Sequence, residues 1–306
     1  MKIPSIILAG GKSPNPYYGI EPHREETLPT SSVEMMAGDF RNKQLPRLPF
    51  SIDHPVIFEH DGKILLCGSD EVSEPNKCYQ LDIEGHTWKE HSILHYGRPA
   101  ASAVTTNTAT FLFGGFLSPN SFEYLPKGSS RWIIGKSKIP RSFSKGCAIA
   151  VEPDNEILLI GGLMTYRRIV NFSIENHTFD IWPQELNVGR AEHQCILIPG
   201  TNKALITGGS YYDEDTDSTE ILDLKDKSVE IAAPMNHKRR CHGMGLINVN
   251  DRQRITTFGG CNDEEGCLKS VEFYDPLTNN WETSSQVTLR EAKANFAYIT
   301  IKWVNI

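Results

Sequence analysis

The chain has no long hydrophobic run, although 39% of its 306 residues are hydrophobic. A membrane-crossing helix needs about 20 consecutive, mostly apolar residues. The sequence therefore predicts that no such helix is present. The apolar residues instead form short runs bounded by glycine and polar residues, which is typical of buried β-strands.

The chain also lacks an excess of positive charge. Its formal net charge is −7 and its isoelectric point is near 5.8. Proteins that bind nucleic acid non-specifically carry basic patches and a basic balance of charge. We therefore expect neither nucleic acid nor a membrane among the partners.

Cysteine is present, but in an odd number, seven, and without the spacing of a disulfide framework. Four cysteines fall in predicted strands and are interpreted as small buried apolar residues: Cys67, Cys78, Cys147 and Cys195. This interpretation favours a reducing compartment and a cytoplasmic location. Cys261 and Cys267 flank one loop, CNDEEGC, and the sequence leaves open whether they are bridged.

Motifs for catalysis, cofactors and metals are incomplete. The segment Gly10 to Ser13 resembles the end of a phosphate-binding loop, but Ile6 stands where that pattern requires glycine. Asp213, Asp215 and Asp217 alternate, without the turn-forming glycine and distal glutamate of a calcium loop. We therefore predict no catalytic residues, no cofactor and no metal site.

What the sequence does contain is a repeat. Six short apolar runs each end in a glycine pair or, once, in Gly-Ser, and their first glycines are Gly10, Gly68, Gly114, Gly161, Gly208 and Gly259. The steps between these glycines are 58, 46, 47, 47 and 51 residues. A period of about 50 residues with several short strands per unit indicates a β-propeller.

Each repeat continues with an alternating strand, a polar turn, an aromatic or apolar residue and a segment usually centred on arginine. These features resemble the Kelch repeat, and the sixth unit, FGG…SVEFYDPLTNNW, matches it closely. The second unit has Ser69 for its second glycine, and the first lacks the tryptophan and carries a long insertion, Lys12 to Ser31. The resemblance covers essentially the whole chain. It implies a single all-β domain, residues 1–306, of six four-stranded antiparallel blades, with tryptophans packed between blades.

Closure of the ring is also predicted. The chain opens with a strand of the second type, Ser5 to Ala9, and ends with a surplus strand of the first type, Phe296 to Ile301. We therefore expect the C-terminal strand to complete blade one, since closure removes exposed sheet edges.

The loops that follow each glycine pair and those that precede each first strand must lie on one face, at the mouth of the central channel. The loops that precede the first strands contain five arginines: Arg98, Arg141, Arg190, Arg239 and Arg290. They suggest a ring that binds carboxylates, because guanidinium groups bind carboxylates bidentately. His193 and His242 follow two of them by three residues. With ordinary pKa values near 6.5, they would tighten anion binding as the pH falls from about 7 to 6. Tyr96, Tyr166 and Tyr211 are candidate aromatic anchors.

These features favour a protein-interaction module that binds a peptide or protein segment on the loop face, and the arginines predict an acidic ligand. The resemblance also implies use as a substrate-recognition subunit or scaffold, with a ubiquitin-ligase role only if the chain is a fragment of a longer protein or works with another chain. Two alternatives stay open: a Kelch-type enzyme or small-molecule binder that uses the channel mouth, and an actin- or cytoskeleton-binding protein.

Overall fold

A computed structural model describes residues 4–14, 27–37, 42–68, 75–151, 155–249 and 252–302. These residues form thirty β-strands, and no helix long and apolar enough to cross a membrane occurs among them. Twenty-four of the strands build six antiparallel sheets of four strands each. The predicted six-bladed propeller is therefore confirmed.

The strands are numbered along the chain, and those of each blade are named from the channel outward. Blade 1 contains β30 (Ala297–Lys302), β1 (Pro4–Ala9), β4 (Val33–Ala37) and β5 (Asn42–Gln44). Blade 2 contains β6 (Val56–His60), β7 (Lys63–Cys67), β8 (Lys77–Asp82) and β9 (Thr87–Ile93). Blade 3 contains β10 (Ser102–Thr105), β11 (Ala109–Phe113), β12 (Phe122–Pro126) and β13 (Ile133–Ile134).

Blade 4 contains β14 (Cys147–Val151), β15 (Glu156–Ile160), β16 (Ile169–Ser173) and β17 (Thr178–Ile181). Blade 5 contains β18 (Gln194–Leu197), β19 (Lys203–Thr207), β22 (Thr219–Asp223) and β23 (Ser228–Ala232). Blade 6 contains β24 (Gly243–Val249), β25 (Arg252–Phe258), β28 (Ser270–Asp275) and β29 (Asn280–Thr288).

Three small hairpins stand in the loops that follow glycine pairs. They are β2 (Lys12–Pro14) with β3 (Thr27–Pro29), β20 (Ser210–Tyr211) with β21 (Glu214–Asp215), and β26 (Cys261–Asn262) with β27 (Gly266–Cys267). The first belongs to the long insertion in blade 1, which we expect to lie over or beside the channel mouth and to be more mobile than the other loops. Residues 15–26 of that insertion lie outside the described residues.

The ring closes as predicted. Strand β30 pairs with β1 in antiparallel register, with Ile6 opposite Thr300. The observed strand is shifted by one residue from the predicted Phe296 to Ile301. The first blade is thus built from both ends of the described chain.

The blades pack against one another through their tryptophans. Trp132 of blade 3 is 2% exposed, and its ring meets Phe58 of blade 2 edge to face, with 5.8 Å between ring centres. Its indole N–H donates to the Ser92 hydroxyl of blade 2 at 3.1 Å. The indole N–H of Trp281 in blade 6 likewise donates to the carbonyl of Ala233, which directly follows the last strand of blade 5. The prediction of tryptophans packed between blades is confirmed.

The glycine pairs allow close backbone contact between blades. Gly209 has a φ of +98°, which glycine adopts without strain. A Cβ at this position would lie 2.5 Å from the Ala191 carbonyl oxygen. Its own N–H donates to the Arg239 carbonyl at 2.9 Å. Each pair is therefore a joint between one blade and the loop that leads to the next.

The interpretation of four cysteines as unpaired apolar residues is wrong in this structure. Cys67 and Cys78 are directly opposed on β7 and β8 and form a disulfide, as do Cys147 and Cys195 on the first strands of blades 4 and 5. The repeat places these residues at neighbouring positions, which linear spacing does not reveal. Cysteine content therefore no longer favours a reducing compartment.

Candidate functional site

A ring of six residues surrounds the channel mouth. Each lies in the loop before a first strand and has φ between +50° and +59°. They are His54, Ala100, Lys145, Glu192, Cys241 and Asn295. We call this set the mouth ring. Sequence reasoning did not find it, because six different residue types occupy the same backbone conformation.

Backbone hydrogen bonds join neighbours in the mouth ring. The N–H of Ala100 donates to the His54 carbonyl at 3.0 Å, and the same link follows to Lys145 at 3.0 Å, Glu192 at 2.7 Å, Cys241 at 2.8 Å and Asn295 at 3.2 Å. Each link crosses from one blade to the next. The left-handed backbone directs the amide toward the neighbouring blade, and the side chains line the mouth.

A pocket of about 100 Å³ lies at this mouth. Its walls are the mouth ring and a second layer, one residue further along each loop: Pro55, Ala101, Gly146, His193, His242 and Phe296. A larger pocket of about 330 Å³ lies on the opposite face, around His60 and Lys127. The described residues contain no group of three or more His, Cys, Asp or Glu side chains that could hold a metal ion.

His193 and His242 line the mouth as predicted, but both are only 1% exposed. Burial, reinforced by the Arg190 charge, lowers the pKa of His193 to about 3. Burial beside Arg239 lowers the pKa of His242 well below its ordinary value, and Thr207 lies 3.0 Å from its Nε2. Both imidazoles are therefore neutral near pH 7, so the ordinary pKa values on which the predicted tightening of anion binding depends are not found.

The predicted arginine ring is buried rather than presented. Arg98, Arg190 and Arg239 are 0% exposed. The Arg239 guanidinium donates to Glu272 at 2.6 Å and to the Gly259 carbonyl at 2.7 Å. It also donates to the Ser270 hydroxyl at 3.0 Å. A guanidinium with these partners braces the loop before blade 6 against β28, and its burial keeps it from contact with a ligand on the loop face.

The same brace recurs in four blades. The ion pairs are Lys293–Glu34 in blade 1 at 3.4 Å, Arg98–Glu123 in blade 3 at 3.0 Å, Arg190–Glu220 in blade 5 at 2.6 Å and Arg239–Glu272 in blade 6 at 2.6 Å. We call these the ionic braces. All four glutamates occupy the same position in the third strand of their blade. Each directly follows the residue that pairs with the last residue of the second strand. Sequence reasoning missed them, although the repeated glutamate in SFEYL, STEILDL and SVEFYD was a usable signal.

Blades 2 and 4 fill both brace positions with residues that carry no charge. Ile52 and Tyr79 occupy them in blade 2, and Phe143 and Val170 in blade 4. Each pair belongs to a single apolar cluster. We call these the apolar braces.

Two of the five predicted arginines therefore lie outside the common column. Arg141 precedes the column residue Phe143 by two positions, and Arg290 precedes Lys293 by three. Both are exposed. In the sequence, these segments align by their arginines. The backbone instead aligns the loops by the residue whose carbonyl accepts a hydrogen bond from the glycine pair.

Two exposed aromatic patches border the mouth ring. The tyrosine patch consists of Tyr166, Tyr211 and Tyr212, whose ring centres are 4.4–5.5 Å apart. Tyr212 is 73% exposed and Tyr211 is 38% exposed. The Glu192 carboxylate of the mouth ring lies 3.4 Å from the Ser210 hydroxyl beside this patch.

The second patch, the phenylalanine patch, consists of Tyr96, Phe116 and Leu117, all exposed. The ring of Phe116 lies 5.5 Å from the ring of His54. The Lys145 ammonium lies 5.4 Å above the same ring. The phenylalanine patch thus contacts the mouth ring through Phe116, whereas the tyrosine patch adjoins it through Ser210. All three predicted tyrosines belong to these two patches.

The charges exposed on the loop face are mixed and are acidic over blades 5 and 6. Lys145 pairs with Glu192, and Arg240 pairs with Asp215 and, at 3.0 Å, with Asp263. Five carboxylates of the β20–β21 and β26–β27 hairpins are exposed: Asp213, Glu214, Asp263, Glu264 and Glu265. The basic mouth expected from the sequence is therefore not what this face presents.

The geometry defines a six-bladed β-propeller with an exposed loop face. The profile described as "Kelch motif" matches residues 254–286, which include most of β25, the β26–β27 hairpin, β28 and most of β29 of blade 6. The chain is 25% identical over 221 residues to the Kelch-like protein 23 of Mus musculus and to that of Homo sapiens. The aligned part covers 70% of this chain and 38% of those relatives, so the chain spans well under half of their length. The motif match, the similarity to these Kelch-like proteins and the six-bladed propeller support a Kelch-repeat family for this chain and, in general terms, a protein-interaction module.

Proposed function

We propose that this propeller binds an extended protein segment across its loop face, with apolar side chains seated on the tyrosine patch and the phenylalanine patch. The exposed aromatic rings on the rim of the mouth are the observation that carries this proposal. Tyrosine and other aromatic residues are enriched at binding hot spots, because they bury a large rigid area. Elsewhere on this face the exposed side chains are mostly polar.

The bound segment carries basic residues toward blades 5 and 6. The exposed carboxylates of the two hairpins give that side of the face a negative potential, which selects for lysine and arginine. The acidic ligand expected from the sequence is not retained, because Arg98, Arg190 and Arg239 are engaged by glutamates. The overall charge of −7 supports the same polarity.

Small-molecule binding at the mouth is less well supported. Pockets that enclose small ligands usually measure about 300–1,000 Å³, and the mouth pocket measures about 100 Å³. A role as the substrate-recognition part of a ubiquitin ligase is a further proposal, and its test is co-purification with a cullin. A cytoplasmic location stays a prediction for cell fractionation.

The test is selection of random peptides displayed on phage against the intact propeller. We expect enrichment of sequences that combine aromatic or aliphatic residues with lysine or arginine. Peptides selected on the wild type should lose most of their affinity for a Tyr211→Ala, Tyr212→Asn variant, in which asparagine tolerates the φ of +50° at position 212.

The matched control is Leu277→Ala, which removes a side chain 95% exposed on the turn between β28 and β29, on the opposite face. Equal loss of binding in both variants, or enrichment of acidic peptides, would contradict the proposal. The contribution of the hairpin carboxylates to peptide binding is tested with the double variant Asp213→Asn, Glu214→Gln. Glu175→Gln on the opposite face serves as its control.

A further inference from the structure

Three cysteines that belong to neither disulfide lie beside the mouth, in blade 6. Cys241 belongs to the mouth ring, and Cys261 and Cys267 lie on the β26–β27 hairpin. All three are partly exposed. The Cys261 sulfur is within hydrogen-bonding reach of both other sulfurs.

Cys261 and Cys267 are directly opposed across the hairpin. The N–H and carbonyl of Cys261 both bond to Arg240, at 3.0 and 2.9 Å, and therefore point away from Cys267. The two cysteines thus form a non-hydrogen-bonded antiparallel pair, in which Cα atoms stand about 4.5 Å apart and side chains are closest. That separation falls within the range of disulfides. The Cys67–Cys78 disulfide joins a directly opposed pair on β7 and β8 in the same chain.

The surroundings distinguish the three thiols. Hydrogen bonds from Cys241 and Cys267, together with the nearby Arg240 charge, lower the pKa of Cys261 well below its ordinary value. The hydrogen bond to Cys261 and burial raise the pKa of Cys241. A thiolate is the reactive form of cysteine, and redox-sensitive cysteines stand next to a resolving thiol in electropositive, accessible places.

We propose that Cys261 and Cys267 form a peroxide-responsive dithiol site, with Cys261 as the attacking group and Cys267 as the resolving group. The Cys261 thiolate attacks one oxygen of hydrogen peroxide and breaks the O–O bond, which gives a sulfenic acid and hydroxide. The Cys267 sulfur then attacks the Cys261 sulfur and displaces hydroxide. The proton lost from each thiol joins one hydroxide, so two thiols and one peroxide give one disulfide and two waters. Cys241 stays a thiol, and a thiol reductant reverses the change.

The test uses the full chain treated with hydrogen peroxide, alkylated and digested with trypsin. Cys261 and Cys267 fall in one tryptic peptide, residues 255–269, whereas Cys241 falls in another, residues 241–252. We expect the first peptide to lose two hydrogens and both of its alkylation sites, while the second remains alkylated. A cross-linked pair of the two peptides, or no change at a peroxide dose that oxidises free cysteine, would overturn the proposal.

Three variants separate the roles. Cys267→Ser should let dimedone trap the sulfenic acid on Cys261, since no resolving thiol remains. Cys261→Ser should abolish dimedone labelling and leave Cys267 alkylated. Cys241→Ser is the matched control and should still form the disulfide. Labelling of Cys267 in the Cys261→Ser variant would contradict the role of Cys261 as the attacking group. Loss of the disulfide in Cys241→Ser would contradict the statement that Cys241 takes no part. Circular dichroism checks that each variant keeps its strand content.

Discussion

Blades 1, 3, 5 and 6 hold their leading loop with a buried ion pair, whereas blades 2 and 4 hold it with apolar side chains. The loop residue and the third-strand residue of the brace change together from blade to blade. No described blade keeps the cation without the glutamate or the glutamate without the cation. The physical reason is the cost of a lone buried charge, which is several kcal/mol and exceeds that of either matched solution.

The comparison also separates two uses of charge on the same loops. The braced arginines are hidden and fix the frame, while the exposed carboxylates and aromatic rings of the hairpins meet solvent. A cation that is conspicuous in the sequence therefore need not be part of the binding surface.

The largest expected effect comes from breaking one ionic brace. Glu220→Ala leaves the Arg190 guanidinium buried without its carboxylate, which should cost about 3–5 kcal/mol of unfolding free energy. Urea unfolding measures the change. Glu230→Ala, at an exposed position on the neighbouring strand, should cost less than about 0.5 kcal/mol. Similar losses in the two variants would show that burial of the pair is unimportant.

Converting one class of brace into the other should give a smaller effect. Arg98→Phe with Glu123→Val reproduces in blade 3 the pair found in blade 4. The double variant should be more stable than the sum of its single variants predicts, by about 0.5–3 kcal/mol, because each single change strands one buried group. A double-mutant cycle in urea measures this coupling. Strict additivity would mean that the two positions vary together for another reason.

Blades 5 and 6 should also make the protein sensitive to acid through their buried histidines. The pKa of His193 is about 3 in the folded protein and near 6.5 in an unfolded chain. Between these values the unfolded chain binds the extra proton, so stability falls as the pH falls, by up to about 1.4 kcal/mol per pH unit. His193→Asn should flatten the slope of unfolding free energy between pH 6.5 and 4. His86→Asn, at an exposed turn, should leave the slope unchanged, and equal slopes in all three proteins would contradict the assignment.

The smallest effect on stability is expected on the exposed rim. Tyr212→Asn should change the unfolding free energy by less than about 0.5 kcal/mol, since the ring is 73% exposed. Thermal melting of the variant beside the wild type checks this. A large loss of stability would indicate that the tyrosine patch stabilises the propeller rather than serving as a binding surface.

The fold was predictable because its signals repeat. Glycine pairs at a period near 50 residues, a strand at each end of the chain and tryptophans in phase determined the six blades and their closure. Tyr96, Tyr166 and Tyr211 were placed correctly on the exposed loop face.

The candidate site was harder to predict because its geometry depends on backbone conformation. Arg141 looked equivalent to Arg190 by residue type, but the loop before blade 4 is offset by two residues. The mouth ring shares a left-handed φ and no residue type, so composition could not reveal it. The two disulfides join residues 11 and 48 positions apart, and only the stacking of strands brings them together.

The peptide links of the mouth ring have one more consequence. Because main-chain groups make these links, replacing a side chain in the ring leaves the main-chain hydrogen bonds between neighbouring blades in place. Lysine, glutamate, cysteine and alanine already occupy equivalent places within one molecule. The lining of the channel opening can therefore diversify by point mutation at little cost to the architecture, which gives related propellers a way to acquire new partners on an unchanged frame.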